Sequence, residues 1–163
     1  MPDLIPLFLF LHVLGAIVAF GPTFLLPYLS TRAGREPQHA NFMARASVAT
    51  GKGIIFPVAL SMAVTGGLII WSARIDPMAV GFRWLLIAIV FYVIALAFSF
   101  FVQTPNGQRI VELTSSPPPP GATGGPPPEL MARIRRARLG SYLLMLLVVA
   151  IVFLMVTKPQ WGI

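Results

Sequence analysis

The 163-residue chain contains no cysteine. Disulfides, thiolate metal sites, cysteine nucleophiles and iron–sulfur ligation are excluded together. Charge is also scarce, at 10% of residues against about a quarter in soluble domains. Only five acids occur (Asp3, Glu36, Asp76, Glu112 and Glu129), and each reads as lying in a loop or terminus. No glycine-rich phosphate loop, HExxH pair or nucleophile elbow is present, so a soluble-type enzyme site is not expected.

What the chain has instead is length without charge. Residues 4–31, 53–73, 84–108 and 139–157 form uncharged runs of 28, 21, 25 and 19 residues. A helix needs roughly 20 apolar residues to cross a ~30 Å hydrocarbon slab. In lipid each backbone polar group must be satisfied within its own segment, and these runs are too continuous for barrel strands. The expected fold is therefore all-α, a four-helix transmembrane bundle, as one domain over residues 1–163. The first run lacks a preceding Lys or Arg and a small-residue cleavage site, so it is read as a retained span.

Basic residues set the orientation. Arg32, Arg35, Arg45 and Lys52 follow the first run, and Arg109, Arg133, Arg135, Arg136 and Arg138 follow the third. Only Arg74, Arg83 and Lys158 lie on the opposite side. The positive-inside rule then places both termini outside and both long loops in the cytoplasm. The net charge of +7 thus belongs to one face, where anionic lipid head groups are the expected partner. No aromatic-basic interleaving accompanies it, so nucleic acid is not expected.

The stretch SSPPPPGATGGPPPE (115–129) holds seven prolines and three glycines. Residues 114–127 are read as an extended Pro/Gly-rich cytoplasmic linker. Pro128 and Glu129 then suit a helix start, predicting a last helix from near Pro128 to Thr157 with MARIRRAR as a basic collar. Pro22 and Pro27 predict a kinked or unwound inner end of the first span, and Pro57 does the same for the start of the second.

His12 is the only ionisable side chain well inside a span, which makes it a functional candidate. Gly15, Ala16 and Ala19 fall three, four and seven residues on, a small-residue stripe suited to close helix approach. Phe10, Leu11, Val13, Leu14, Ile17 and Val18 occupy the other surface, which suits lipid. A rise of 1.5 Å per residue puts His12 about 12 Å, Met62 and Tyr92 about 14 Å, and Thr65 about 9 Å below the outer edge. With Ser61, these residues form the single polar layer the spans offer.

Three readings follow. A neutral His12 hydrogen-bonds Tyr92, Ser61 or Thr65 and ties helices together. Alternatively it is an axial metal ligand of one haem b, with Met62 as the sulfur at matching depth and Tyr92 alongside. The third is a copper or proton path through His12 and the methionines. Arg83 snorkels to the interface, pairs with Asp76, or caps an anionic group such as a haem propionate.

The opening LFLFLHVLGAIVAFGPTFLLPYL (7–29) resembles the first helix of a group of small bacterial membrane proteins. The group includes HemJ-type protoporphyrinogen oxidases, CopD-type copper-resistance proteins and an uncharacterised branch of integral membrane proteins. The ending VVAIVFLMVTKPQ (148–160) is similar to the close of HemJ-type chains. The resemblance implies a bundle in the bacterial inner membrane, with His12 at the position of a proposed haem ligand. It also implies a lysine near the start of the third helix, where this chain has Arg83. An arginine stays protonated and serves neither as base nor as ligand. The chain is accordingly placed in the uncharacterised branch, with a redox-linked or haem-handling role. The alternative is a non-catalytic accessory or assembly subunit of a larger membrane complex, partnered by another membrane protein or by itself.

Overall fold

The computed structural model describes residues 4–33, 36–115 and 125–159. Four long helices carry the fold: α1 (Ile5–Ala33), α2 (Ala40–Ser72), α3 (Val80–Ser115) and α4 (Pro128–Thr157). All four are long and apolar enough to cross a membrane. The last begins and ends where the sequence placed it. α2 and α3 hold 33 and 36 residues, about 50 Å each at 1.5 Å per residue. Both therefore outrun a ~30 Å hydrocarbon layer and project on the side of the two longer connections, here the loop side.

That projection corrects the reading of the first basic loop. Arg45 and Lys52 stand on helix, not in a loop. The projecting turns of α2 have somewhere to pack, since the end of α3 lies beside them. Asn41 Nδ2 donates to Val111 O (3.2 Å) and to Thr114 Oγ1 (3.0 Å). Arg109 pairs with Glu112 at 2.8 Å and with Glu129 at 3.0 Å, joining the loop-side ends of α3 and α4. Residues 114 and 115 of the expected linker are the last turn of α3, and residues 116–124 lie outside the described residues.

The bundle is a ring in which α1 lies along α2, α3 along α4, and α1 also meets α4. Ala19, Ala59 and Met62 form one buried cluster between α1 and α2, with Tyr92 and Leu96 of α3 against it. Trp84, Leu85, Ala88 and Leu154 form a second between α3 and α4. The α1 stripe behaves as its spacing required. Gly15 and Ala19 are buried, while Phe10, Leu11, Val13, Leu14, Ile17 and Val18 are all exposed.

Pro57 disturbs the start of the second span as expected, whereas Pro22 and Pro27 do not unwind the first. α1 remains helical through both Pro22 and Pro27, with no unwound segment. The irregularity appears in α2 and α3 as two π turns, Gly51–Ile55 and Ser99–Gln103. Phe56 N–H reaches back five residues to Gly51 O, and Thr104 N–H to Ser99 O. The next residue is proline in both cases, Pro57 and Pro105. A proline ring clashes with the preceding helical turn and has no N–H to give it. Widening that turn by one residue relieves the clash without breaking the helix. The two wide turns sit side by side, with the Phe56 and Phe100 ring centroids 5.0 Å apart.

Candidate functional site

The half-buried His12 ring leans from α1 onto α2. Its Nδ1 is 3.0 Å from Met62 O and 3.1 Å from Thr65 Oγ1. A carbonyl oxygen only accepts, so Nδ1 carries the proton and donates. Thr65 Oγ1 also lies 3.1 Å from Ser61 O and 3.2 Å from Met62 O, so its own proton has carbonyls to go to. In the neutral ring the lone pair then belongs to Nε2, which has no hydrogen-bond partner among the described residues.

Two glycines make this approach feasible. A Cβ built on Gly66 would sit 3.1 Å from the ring's Cε1, so the imidazole lies against bare backbone there. A Cβ on Gly15 would stand 2.8 Å from Met62 Cγ. The Met62 side chain thus fills the notch that Gly15 leaves, one turn along α1 from the ring it serves through its carbonyl.

Of the residues anticipated beside His12, the structure brings only some together. Thr65 does meet it. Met62 meets it through main chain alone; its side chain is buried in the notch at Gly15. Tyr92 goes elsewhere: its hydroxyl donates to Ala59 O, one turn farther along α2. Ser61 Oγ donates to Val58 O within its own helix and is exposed. Arg83 is exposed at the start of α3 and takes part in none of the described ion pairs or hydrogen bonds. An Arg83–Asp76 pair is not among the ion pairs of the described residues; the Asp76 carboxylate accepts the Met78 N–H at 2.9 Å, a local turn bond.

Residues read only as apolar run in the sequence build a second polar seam, between α3 and α4. Gln103 Nε2 donates to Ala137 O at 3.1 Å, and Asn106 Nδ2 to Arg133 O at 3.0 Å. Asn106 is buried, and the oxygens Gln103 Oε1 and Asn106 Oδ1 have no partner among the described residues. The spacing was the available signal: two carboxamides three residues apart, one helical face, in an uncharged run. Near this seam but beyond the uncharged runs, Arg109 holds the Glu129 carboxyl below the ordinary carboxylate value, so the loop-side tie stays ionised.

Chemically, the His12 arrangement offers one imidazole nitrogen. A ring whose Nδ1–H is committed to a carbonyl is fixed in tautomer and orientation, and the hydrogen bond makes Nε2 a better donor to a metal. The residues present could supply one nitrogen ligand to a bound group. They do not fit a pair, since Met62 sulfur is enclosed in packing and Tyr92 is bonded to backbone. No curated protein and no solved structure matches the chain. The family model that does match spans residues 6–159, all but the two ends, and the chain belongs to that family of predicted integral membrane proteins, DUF2269.

Proposed function

We propose that this four-span protein resides in the bacterial inner membrane with both long loops cytoplasmic and holds one haem b through His12 Nε2, in a redox-linked or haem-handling role. One observation carries the reading: the Nδ1–H bond to Met62 O leaves Nε2 as the lone pair of an oriented, half-buried ring. The likeness of residues 7–29 to HemJ-type first helices points the same way, whereas the family match is silent about chemistry. A bound haem would supply reversible one-electron chemistry. The chain's own part is orientation: Met62 O and Thr65 hold the ring, and Gly15 and Gly66 let α1 and α2 close around it.

The test is the absorption spectrum of protein purified from cells supplied with haem precursor. A Soret band is expected in the wild type, with loss in His12→Ala; His12→Gln serves if the alanine variant does not fold. Met62→Leu should keep the band, because its thioether is not a ligand here. Colourless wild-type protein, or a band that survives both His12 variants, overturns the reading. In that event His12 is a helix tie, worth about 0.6 kcal/mol as a membrane hydrogen bond.

A further inference from the structure

The arginines of the loop side are not equivalent. Arg109 is bonded to Glu112 and Glu129, and Arg133 lies 3.9 Å from the same Glu129 carboxylate. Arg135 and Arg138 have no acid within ion-pair distance among the described residues, and both are exposed. They stand three residues apart, on one face of α4. Leu139, Tyr142 and Leu146 continue that face at 59%, 53% and 66% exposed, while Gly140, Val148 and Ile151 face the bundle. Two free guanidinium groups therefore sit immediately above an uncovered apolar strip, with a tyrosine one turn below Arg138.

We infer that this strip is a binding site for one anionic phospholipid. Arg135 and Arg138 take its phosphodiester, and an acyl chain lies along Leu139, Tyr142 and Leu146. Guanidinium groups suit phosphate because several donors point at its oxygens at once. The aliphatic stems of arginine also let the charged heads rise to the head-group level. Charge decides against a second copy as the occupant. A two-fold axis along the membrane normal would bring residues of equal depth together, setting Arg135 and Arg138 against their own duplicates. The inference stands on the span assignment and the free arginines, and is independent of any cofactor at His12.

The experiment is native mass spectrometry of the full chain in detergent, titrated with phosphatidylglycerol or phosphatidylcholine. One phosphatidylglycerol should be retained in preference to phosphatidylcholine. The Arg135→Gln/Arg138→Gln variant should bind it about thirtyfold more weakly, each lost arginine near an anionic surface being worth roughly fivefold. Arg45→Gln/Lys52→Gln, which removes the same charge elsewhere on this side, should bind as the wild type does. Equal losses in the two variants would reduce the effect to net charge and overturn the site. Displacement of the lipid by millimolar inorganic phosphate would overturn a lipid as the occupant. So would a disulfide-linked dimer formed by Leu146→Cys in this cysteine-free chain. If the glutamine variant does not fold, Arg135→Lys/Arg138→Lys keeps the charge without the fork and should show an intermediate loss; unchanged binding there also counts against the site.

Discussion

At the residue scale, the close approach of α1 to α2 turns on Gly15. The nearest atom to a new Cβ there is Met62 Cγ, at 2.8 Å, in the middle of a buried side chain and not at a flexible tip. Gly15→Ala should therefore force Met62 off its position or push the helices apart, lowering stability by about 1–3 kcal/mol as overpacking does. Gly21 and Gly67 have nothing within 4 Å of a built Cβ, so alanine at either should leave stability nearly unchanged. Thermal unfolding of the three variants in one detergent checks the contrast, and equal midpoints would refute it. The sequence made the inward side of His12 legible, because small residues three, four and seven positions on had to face another helix. It did not reveal the ring's main partner. Met62 O is a main-chain atom that every residue possesses, so no residue type announces it. The anticipated side-chain partners at matching depth, Ser61 and Tyr92, were taken by other carbonyls of the same helix.

At the element scale, the four spans and the ends of α4 were legible, but the full lengths of α2 and α3 and their internal register were not. Uncharged runs mark the part of a helix that lipid covers, and they say little about how far it continues into the head-group layer. α2 and α3 continue because each gives the other a surface there, a tertiary effect that no local pattern encodes. The π turns were half legible: Pro57 announced a disturbance, but a wide turn and a kink relieve the same clash. In α3 the turn ends at Gln103, which with Asn106 faces α4. Gly140 is the counterpart on α4, where a Cβ would stand 2.6 Å from Gln103 Oε1 and 2.7 Å from its Cδ. A coupled prediction follows. Gln103→Ala alone should cost little, about 0.6 kcal/mol for one interhelical bond, and it also removes an unpaired buried oxygen. Gly140→Ala alone should cost more, about 1–3 kcal/mol, since the whole carboxamide must move. In the Gln103→Ala background the Gly140→Ala cost should largely vanish, because the obstructing group is gone. Additive costs across this double-mutant cycle would mean that the two residues do not share a contact.

At the scale of the whole molecule, the exposed surface of the helices is mostly large apolar side chains, from Leu7 in α1 to Val156 in α4. In water such a surface would drive aggregation, but in hydrocarbon it is simply solvated. Cohesion then falls to close contact at small residues and to bonds such as Tyr92 to Ala59 O and Gln103 to Ala137 O, both between helices. Which way the bundle crosses the membrane is decided outside this layer. Nine of the twelve Lys and Arg residues flank the loop side, the side the positive-inside rule assigns to the cytoplasm. The chain's lack of cysteine turns this into a clean measurement, because an introduced thiol is the only one that reacts. Met78 lies in the short turn between α2 and α3 and is 75% exposed, and Gln38 is exposed in the connection between α1 and α2. In intact cells made permeable only at the outer membrane, a membrane-impermeant maleimide should label Met78→Cys and spare Gln38→Cys until the inner membrane is opened. The reverse pattern would turn the bundle over and carry Arg135, Arg138 and their lipid site to the other leaflet. Labelling of both thiols in intact cells would break the pairing of α1 and α2 as two spans joined on one side.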